Sequence, residues 1–197
     1  NIKTTTEKSN TNFNNLGVNP SLVKTLNKSG IYEPFPIQVA AIPDAIKGKD
    51  VLGRGQTGSG KTLAFGLALL TRLANRKARA HHPLAIVLSP TRELAMQIND
   101  VINPLATSVH LSSRLIAGGM PYGAQIQALK KAVPILVSTP GRLIDLMEQK
   151  HVYLDETEID KIFDLFYRIE DTVQSWVRLK DHLPLRHEIL QNESGEW

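Results

Sequence analysis

The run Gly55-Gln56-Thr57-Gly58-Ser59-Gly60-Lys61-Thr62 places glycine, lysine and threonine at the spacing G-x-x-x-x-G-K-[ST], the pattern of a phosphate-binding loop. Its glycines let the backbone curl so that successive N–H groups of Gln56 to Gly60 point inward at phosphate oxygens, and a side chain at Gly58 or Gly60 would obstruct that turn. Lys61 supplies a point charge for the terminal phosphates, and the Thr62 hydroxyl is a ligand for Mg2+. A nucleoside triphosphate is therefore the first ligand to consider. The pattern needs a strand before it and a helix after it. Asp50-Val51-Leu52 reads as a short buried strand entering the loop, and Leu63, Leu67, Leu70 and Leu73 form the apolar stripe of a helix from Lys61 to about Arg76. That helix adds its positive N-terminal end to the same site.

Three further segments could do chemistry: Ser89-Pro90-Thr91-Arg92, Gly118-Gly119 and Ser138-Thr139-Pro140-Gly141-Arg142. Each follows an apolar run, at Ala85–Leu88, Arg114–Ala117 and Ile135–Val137, and each run precedes a helical pattern. Apolar strands alternating with helices imply a parallel sheet covered on both faces, a doubly wound α/β domain. Earlier, Ser21 to Ser29 reads as a helix closed by Gly30, and Pro36 opens another that ends at Gly48. In such a sheet ligands sit outside the carboxyl ends of the strands, where all three segments fall. Two of them pair a hydroxyl residue with a proline at a helix start and an arginine close by. That arrangement suits phosphates of a nucleic acid backbone, although ordinary helix capping would use the same residues.

The chain has 197 residues, 42% of them hydrophobic, enough for a real core. It has no cysteine, which excludes disulfides and thiol catalysis and suits a reducing cytoplasm. No apolar run is long enough to span a bilayer, so a cytoplasmic protein without membrane partners is expected. The charge is asymmetric: residues 1–150 hold 18 Lys and Arg against 8 Asp and Glu, residues 151–197 hold 5 against 11. A basic body suits a polyanion, and an acidic tail repels it. His151, His182 and His187 show no metal-ligand spacing.

In order along the chain, these segments resemble the first RecA-like domain of the DEAD-box ATP-dependent RNA helicases. Phe13, then Gly30 through Pro34 to Ile37-Gln38, match the family's glutamine motif; Gly55 to Thr62 match motif I; Pro90 to Gln97 match motif Ia. Gly118-Gly119 and Thr139-Pro140-Gly141-Arg142 complete the RNA-facing set. The resemblance covers residues 13 to about 159 and implies an ATP-hydrolysing helicase that uses Mg2+ and binds RNA. It implies that Gln38 reads the adenine edge, which an amide does by donating and accepting at once, and that Phe13 stacks on the base. The family usually has an aromatic residue where Ile31 stands and a small hydroxyl residue where Phe35 stands, so base contact is expected to be altered.

The family pattern breaks before motif II, as in a truncated or rearranged domain. The Asp-Glu-Ala-Asp sequence that holds Mg2+ and orients water has no counterpart. Asp155 and Glu156 follow Val152-Tyr153-Leu154 and are the candidate replacements, catalytic and metal-binding; a solvated connector would show the same acids. Residues 1–12 read as disordered, 13–159 as the ATP-binding domain and 160–197 as an acidic tail. In the tail, Ile162, Leu165, Phe166, Ile169, Val173, Trp176 and Val177 recur at helical spacing. It either covers sheet surface left bare or offers a helix to a partner protein. Weak hydrolysis alone is expected, with a second RecA-like domain acting in trans; a non-catalytic interaction protein and a small-molecule kinase are the alternatives.

Overall fold

Ile135-Leu136-Val137-Ser138 is the centre of the molecule because it is apolar on both faces and paired on both edges. The structure, a computed structural model, describes residues 11–154; residues 1–10 and 155–197, which include Asp155, Glu156 and the tail, lie outside the described residues. The elements are α1 (Pro20–Lys28), α2 (Pro36–Ile46), α3 (Lys61–Leu73), β1 (Ala85–Leu88), α4 (Arg92–Ser108), β2 (Ser113–Ile116), α5 (Tyr122–Leu129), β3 (Ile135–Ser138) and α6 (Pro140–Glu148). The strands form a parallel sheet in the order β1-β3-β2, with Val87 and Leu115 both level with Val137.

Side chains alternate across a strand, and β3 shows what the alternation accomplishes. Ile135 and Val137 join one core with Leu67, Leu70, Ile98 and Ile102 of α3 and α4. Leu136 joins a second with Ile116, Leu129, Leu143 and Leu146 of β2, α5 and α6. Helices thus cover both faces, the doubly wound arrangement expected of continuous apolar strands. Each fully buried leucine in these cores contributes about 1.5–3 kcal/mol relative to exposure.

Two expectations change. β2 begins one residue earlier than the apolar run suggests, because Ser113 is buried and held by Asn99 and Asn103 of α4, at 2.8 Å through its hydroxyl and 3.2 Å through its N–H. The larger correction is Val51-Leu52, which is not a strand. Leu52 is 65% exposed, and among the described residues no strand runs beside it. A dipeptide becomes a strand only by joining a ladder, whatever its apolar character.

Candidate nucleotide and nucleic-acid site

Gly60 caps α3 in the left-handed region, at φ +85°, and Gly58 has φ +82°. The two glycines are required for different reasons. A Cβ at Gly58 would meet open space, so only its backbone angle demands glycine. At Gly60 a Cβ would also lie 2.5 Å from Gln38 Nε2 and 2.8 Å from Phe35 Cδ2. α2 therefore packs its first turn directly against the loop.

Gln38 makes that contact. It is 2% exposed; its carbonyl accepts the Phe35 N–H at 2.8 Å and its amide donates to the Gly60 carbonyl at 3.0 Å. The first bond closes the N-terminus of α2, and the second staples α2 to the phosphate loop. The side chain is thus a brace as well as the expected adenine reader. Phe13, expected to stack on a base, is instead fully buried in the core with Leu22 and Leu26, so its ring has no free face. The apolar character that marks a residue for stacking also draws it inside when the first helix closes over it. Ile31 is half-buried against the same core. Phe35, 52% exposed, is the aromatic ring that borders the loop.

Within the loop, Lys61 Nζ donates to the carbonyls of Gly55 and Gln56, so the ammonium folds back over the curl. Gln56 and Thr57 are exposed, and Thr62 is half-buried at the start of α3. The Ser59 hydroxyl sits inside the curl, 2.8 Å from where a Cβ at Gly55 would be. It is buried without a hydrogen-bond partner among the described residues. An unpaired buried hydroxyl costs about 1–3 kcal/mol, and a phosphate oxygen would satisfy it. Glycine N–H groups, a lysine and an unpaired hydroxyl at a helix N-terminus fit a triphosphate. Among the described residues no three His, Cys, Asp or Glu side chains gather as a metal cluster.

The second set converges at the carboxyl edge of the sheet. Pro90, Thr91 and Arg92 follow β1 and start α4, where the Thr91 hydroxyl accepts the Leu94 N–H at 3.2 Å. Arg92 is exposed, lies 3.4 Å from Glu93, and its guanidinium rests against Gly119, where a Cβ would approach to 2.9 Å. Gly118 and Gly119 are exposed in the turn after β2, with Gly119 at φ +73°. Thr139, Pro140, Gly141 and Arg142 follow β3, and Ser138 ties that strand end to β2 by donating to the Ile116 carbonyl at 2.7 Å. All three segments therefore share one edge.

Two residues outside the motifs hold this edge. Gln125, buried in α5, donates to the carbonyls of Ala117 and Met120, at 3.1 and 3.3 Å, and so clamps the Gly118-Gly119 turn from below. Tyr122 carries the Arg142 guanidinium over its ring at 4.8 Å, while Asp145 lies 3.8 Å from Arg142 Nε. Burial of the Tyr122 hydroxyl, with the Asp145 carboxylate nearby, raises its pKa. The sequence signal for both was their place on the helix directly after the glycine pair.

A parallel RecA-like sheet, a phosphate loop at the N-terminus of α3 and two helix N-termini with arginines on the carboxyl edge of the sheet define a P-loop nucleotide-binding domain. The sequence model of the DEAD/DEAH box helicase family matches residues 35–183, and the chain belongs to that family. The match runs past residue 159, into the acidic tail. The chain is 38% identical over 163 residues to the ATP-dependent RNA helicase RhlB of Cronobacter sakazakii, covering 78% of this chain and 39% of that protein. RhlB of Salmonella newport is similar at the same identity and coverage. Among solved structures, the RNA-helicase Prp28 from Chaetomium thermophilum bound to ADP matches with a TM-score of 0.68 and 36% identity, over 74% of this chain and 36% of that one. The chain thus spans about 39% of the length of the curated relatives it matches.

Proposed function

We propose that this chain is the ATP- and RNA-binding part of a DEAD-box RNA helicase. ATP is held at Gln56 to Thr62, and the RNA backbone lies along Pro90 to Arg92, Gly118-Gly119 and Thr139 to Arg142. The observation that carries the nucleotide reading is the unpaired Ser59 hydroxyl inside a glycine curl at the N-terminus of α3. Lys61 exchanges its loop carbonyls for phosphate oxygens, which turns a neutral-acceptor contact into a charge-assisted one. Thr62 offers its hydroxyl to Mg2+, which when bound neutralises phosphate charge. Gln38 keeps one amide hydrogen and one carbonyl lone pair beyond its two present bonds, the pair an adenine edge requires, and Phe35 supplies the aromatic surface that Ile31 lacks.

The RNA-facing groups are backbone N–H groups, hydroxyls and two arginines, which position a phosphodiester backbone without reading bases. RhlB and Prp28 are named as RNA helicases, and the same substrate class is inferred for this chain. Hydrolysis by the chain alone is weak. The loop contains no carboxylate, Asp155 and Glu156 are the candidate acids to orient water, and phosphoryl transfer needs charge stabilisation from several groups at once. The missing groups come from a second RecA-like domain in trans.

Titration of a fluorescent ATP analogue tests this. Lys61→Ala loses about 1.5–3 kcal/mol of charge-assisted binding, a weakening of roughly 10- to 100-fold, with RNA affinity unchanged. Equal ATP affinity in Lys61→Ala would remove the nucleotide assignment. RNA-stimulated turnover with strand separation by the purified chain would overturn the weak-hydrolysis reading.

A further inference from the structure

Residues 101–144 hold Arg114, Lys130, Lys131 and Arg142 and no Asp or Glu. This stretch builds β2, α5 and β3, so those elements carry cations and no acid to neutralise them. Away from the Gly118-Gly119 turn, where β2 starts and α5 ends, lies a cleft of about 560 Å³ bordered by Ser112, Arg114, Gln127, Lys131 and Val133. Side chains alternate along a strand, so Arg114 projects on the same face as Ile116, which packs with Leu129 of α5. The strand and the helix thus each bring a cation to one cleft.

The polar groups at this cleft are unpaired. Among the described residues the side chains of Ser112, Arg114, Gln127 and Lys131 make no hydrogen bond or ion pair, whereas Arg92 and Arg142 are matched with Glu93 and Asp145. Lys130 and Lys131 suit the negative end of the α5 dipole, and a charge on an outer strand such as β2 discourages edge pairing. Neither duty requires two cations to border one cleft with an amide and a hydroxyl beside them. A phosphate group does, since it accepts from all four and its charge strengthens each bond.

α5 connects the cleft to the Gly118-Gly119 turn. It starts at Tyr122 directly after that turn, and its last helical turn continues to Lys131, whose N–H donates to the Ala128 carbonyl at 3.1 Å. At a rise of about 1.5 Å per residue, Lys131 lies about 14 Å along the helix from Tyr122, roughly four nucleotides of a stacked strand at about 3.4 Å each. Ala124, Gln127 and Lys131 are exposed and recur at three- and four-residue spacing, so one acid-free face of the helix leads from the turn to the cleft. No aromatic residue borders the cleft, so a strand there is held by its phosphates and not by stacked bases. We propose that the cleft is a second phosphate subsite for RNA, in which Arg114 and Lys131 hold a phosphodiester of the strand that leaves the glycine turn along α5. This subsite rests on the RNA reading of the carboxyl edge and lengthens its footprint without adding sequence preference.

Two fluorescent oligouridylates test it: one of about six nucleotides, within the range a single domain covers, and one longer by about six, enough to pass along α5. The wild-type chain is expected to bind the longer strand several-fold more tightly. Arg114→Ala combined with Lys131→Ala is expected to remove that gain and to lower the salt slope for the longer strand by about 0.7, one phosphate contact on a single strand. The shorter strand should bind as before. An unchanged slope and affinity for the longer strand overturn the subsite and leave the RNA edge intact, whereas failure of the wild-type chain to bind either strand removes the RNA reading and the subsite with it. If the double variant keeps the longer RNA but loses oligoglutamate, the cleft takes an acidic protein segment, which also overturns the subsite. Because the chain contains no cysteine, Gln127→Cys gives a second readout that keeps both cations. Its alkylation is expected to slow several-fold with the longer strand and not with the shorter, while Val101→Cys on α4 reacts equally with either. Equal protection of Gln127→Cys by both strands, or by neither, overturns the subsite. If the double variant fails to fold, this alkylation decides.

Discussion

The phosphate loop and the carboxyl edge of the sheet are both built to face phosphates, yet they are supported in opposite ways. Behind Thr139-Pro140 stands β3, hydrogen-bonded on both edges and buried on both faces. Behind Gly55 stands Val51-Leu52, which has no described strand beside it, and the loop takes its bracing from the side, through Gln38 of α2 and Phe35 just ahead of it. A strand-backed edge is positioned by the whole core. A laterally braced loop is positioned by a few contacts, and its geometry depends on each of them.

The largest effect belongs to the strand-backed side. Leu136→Ala leaves a cavity beneath Thr139 and Arg142, and a fully buried leucine there costs about 2–5 kcal/mol. Thermal unfolding should show the midpoint falling by several degrees, with ATP affinity of the remaining folded protein little changed. If ATP and RNA binding fell together in the folded fraction, the two regions would not be separately supported.

Next is Gly60→Ala, directed at the lateral brace. The new Cβ must be accommodated at φ +85° and against Gln38 and Phe35; left-handed strain costs about 1–3 kcal/mol and the overlap a further 1–3 kcal/mol. Gly58→Ala has the same backbone strain and open space around it, so it should cost only the first part. Nucleotide affinity measured for both variants separates strain from crowding. Equal losses would mean that the Gln38 and Phe35 contacts do not brace the loop.

The same contrast explains what could be read from the chain. The three paired strands and six helices were legible because apolar runs and helical spacing report local environment, and in β1, β2 and β3 the environment agreed with the pattern. Val51-Leu52 had the same apolar character and failed, because a strand also needs a partner, which lies beyond any local window. The phosphate loop was legible since its glycine positions encode backbone angles directly. Phe13 was misread because an aromatic side chain carries no sign of which surface it will meet. The bond from Gln38 to Gly60 joins residues 22 positions apart, and the rest of Tyr122 on Arg142 joins two helices; neither contact has a spacing signature.

A third prediction compares the two arginines of the strand-backed edge. Arg92 is exposed and Arg142 is held between Tyr122 and Asp145. Alanine at either should weaken RNA binding similarly for all sequences and reduce the salt slope by about one. Arg142→Ala should in addition lose stability, since a stacked guanidinium contributes about 0.5–1 kcal/mol even at an exposed site. Salt-dependent RNA titration and thermal unfolding of both variants measure the two effects apart.

The smallest effect concerns the two threonines that open helices there. Thr91 and Thr139 look equivalent in sequence, each beside a proline and ahead of an arginine, and both stand at N-caps with extended backbone. Only Thr91 caps through its side chain, accepting the Leu94 N–H; Thr139 makes no side-chain cap bond. Thr91→Ala should therefore cost about 1 kcal/mol of stability, and Thr139→Ala almost none. If the Thr139 hydroxyl is free because it serves RNA, its loss appears in RNA affinity alone. A stability loss in Thr139→Ala as large as that in Thr91→Ala, with RNA affinity intact, would make both residues caps and leave the backbone N–H groups and arginines as the RNA contacts.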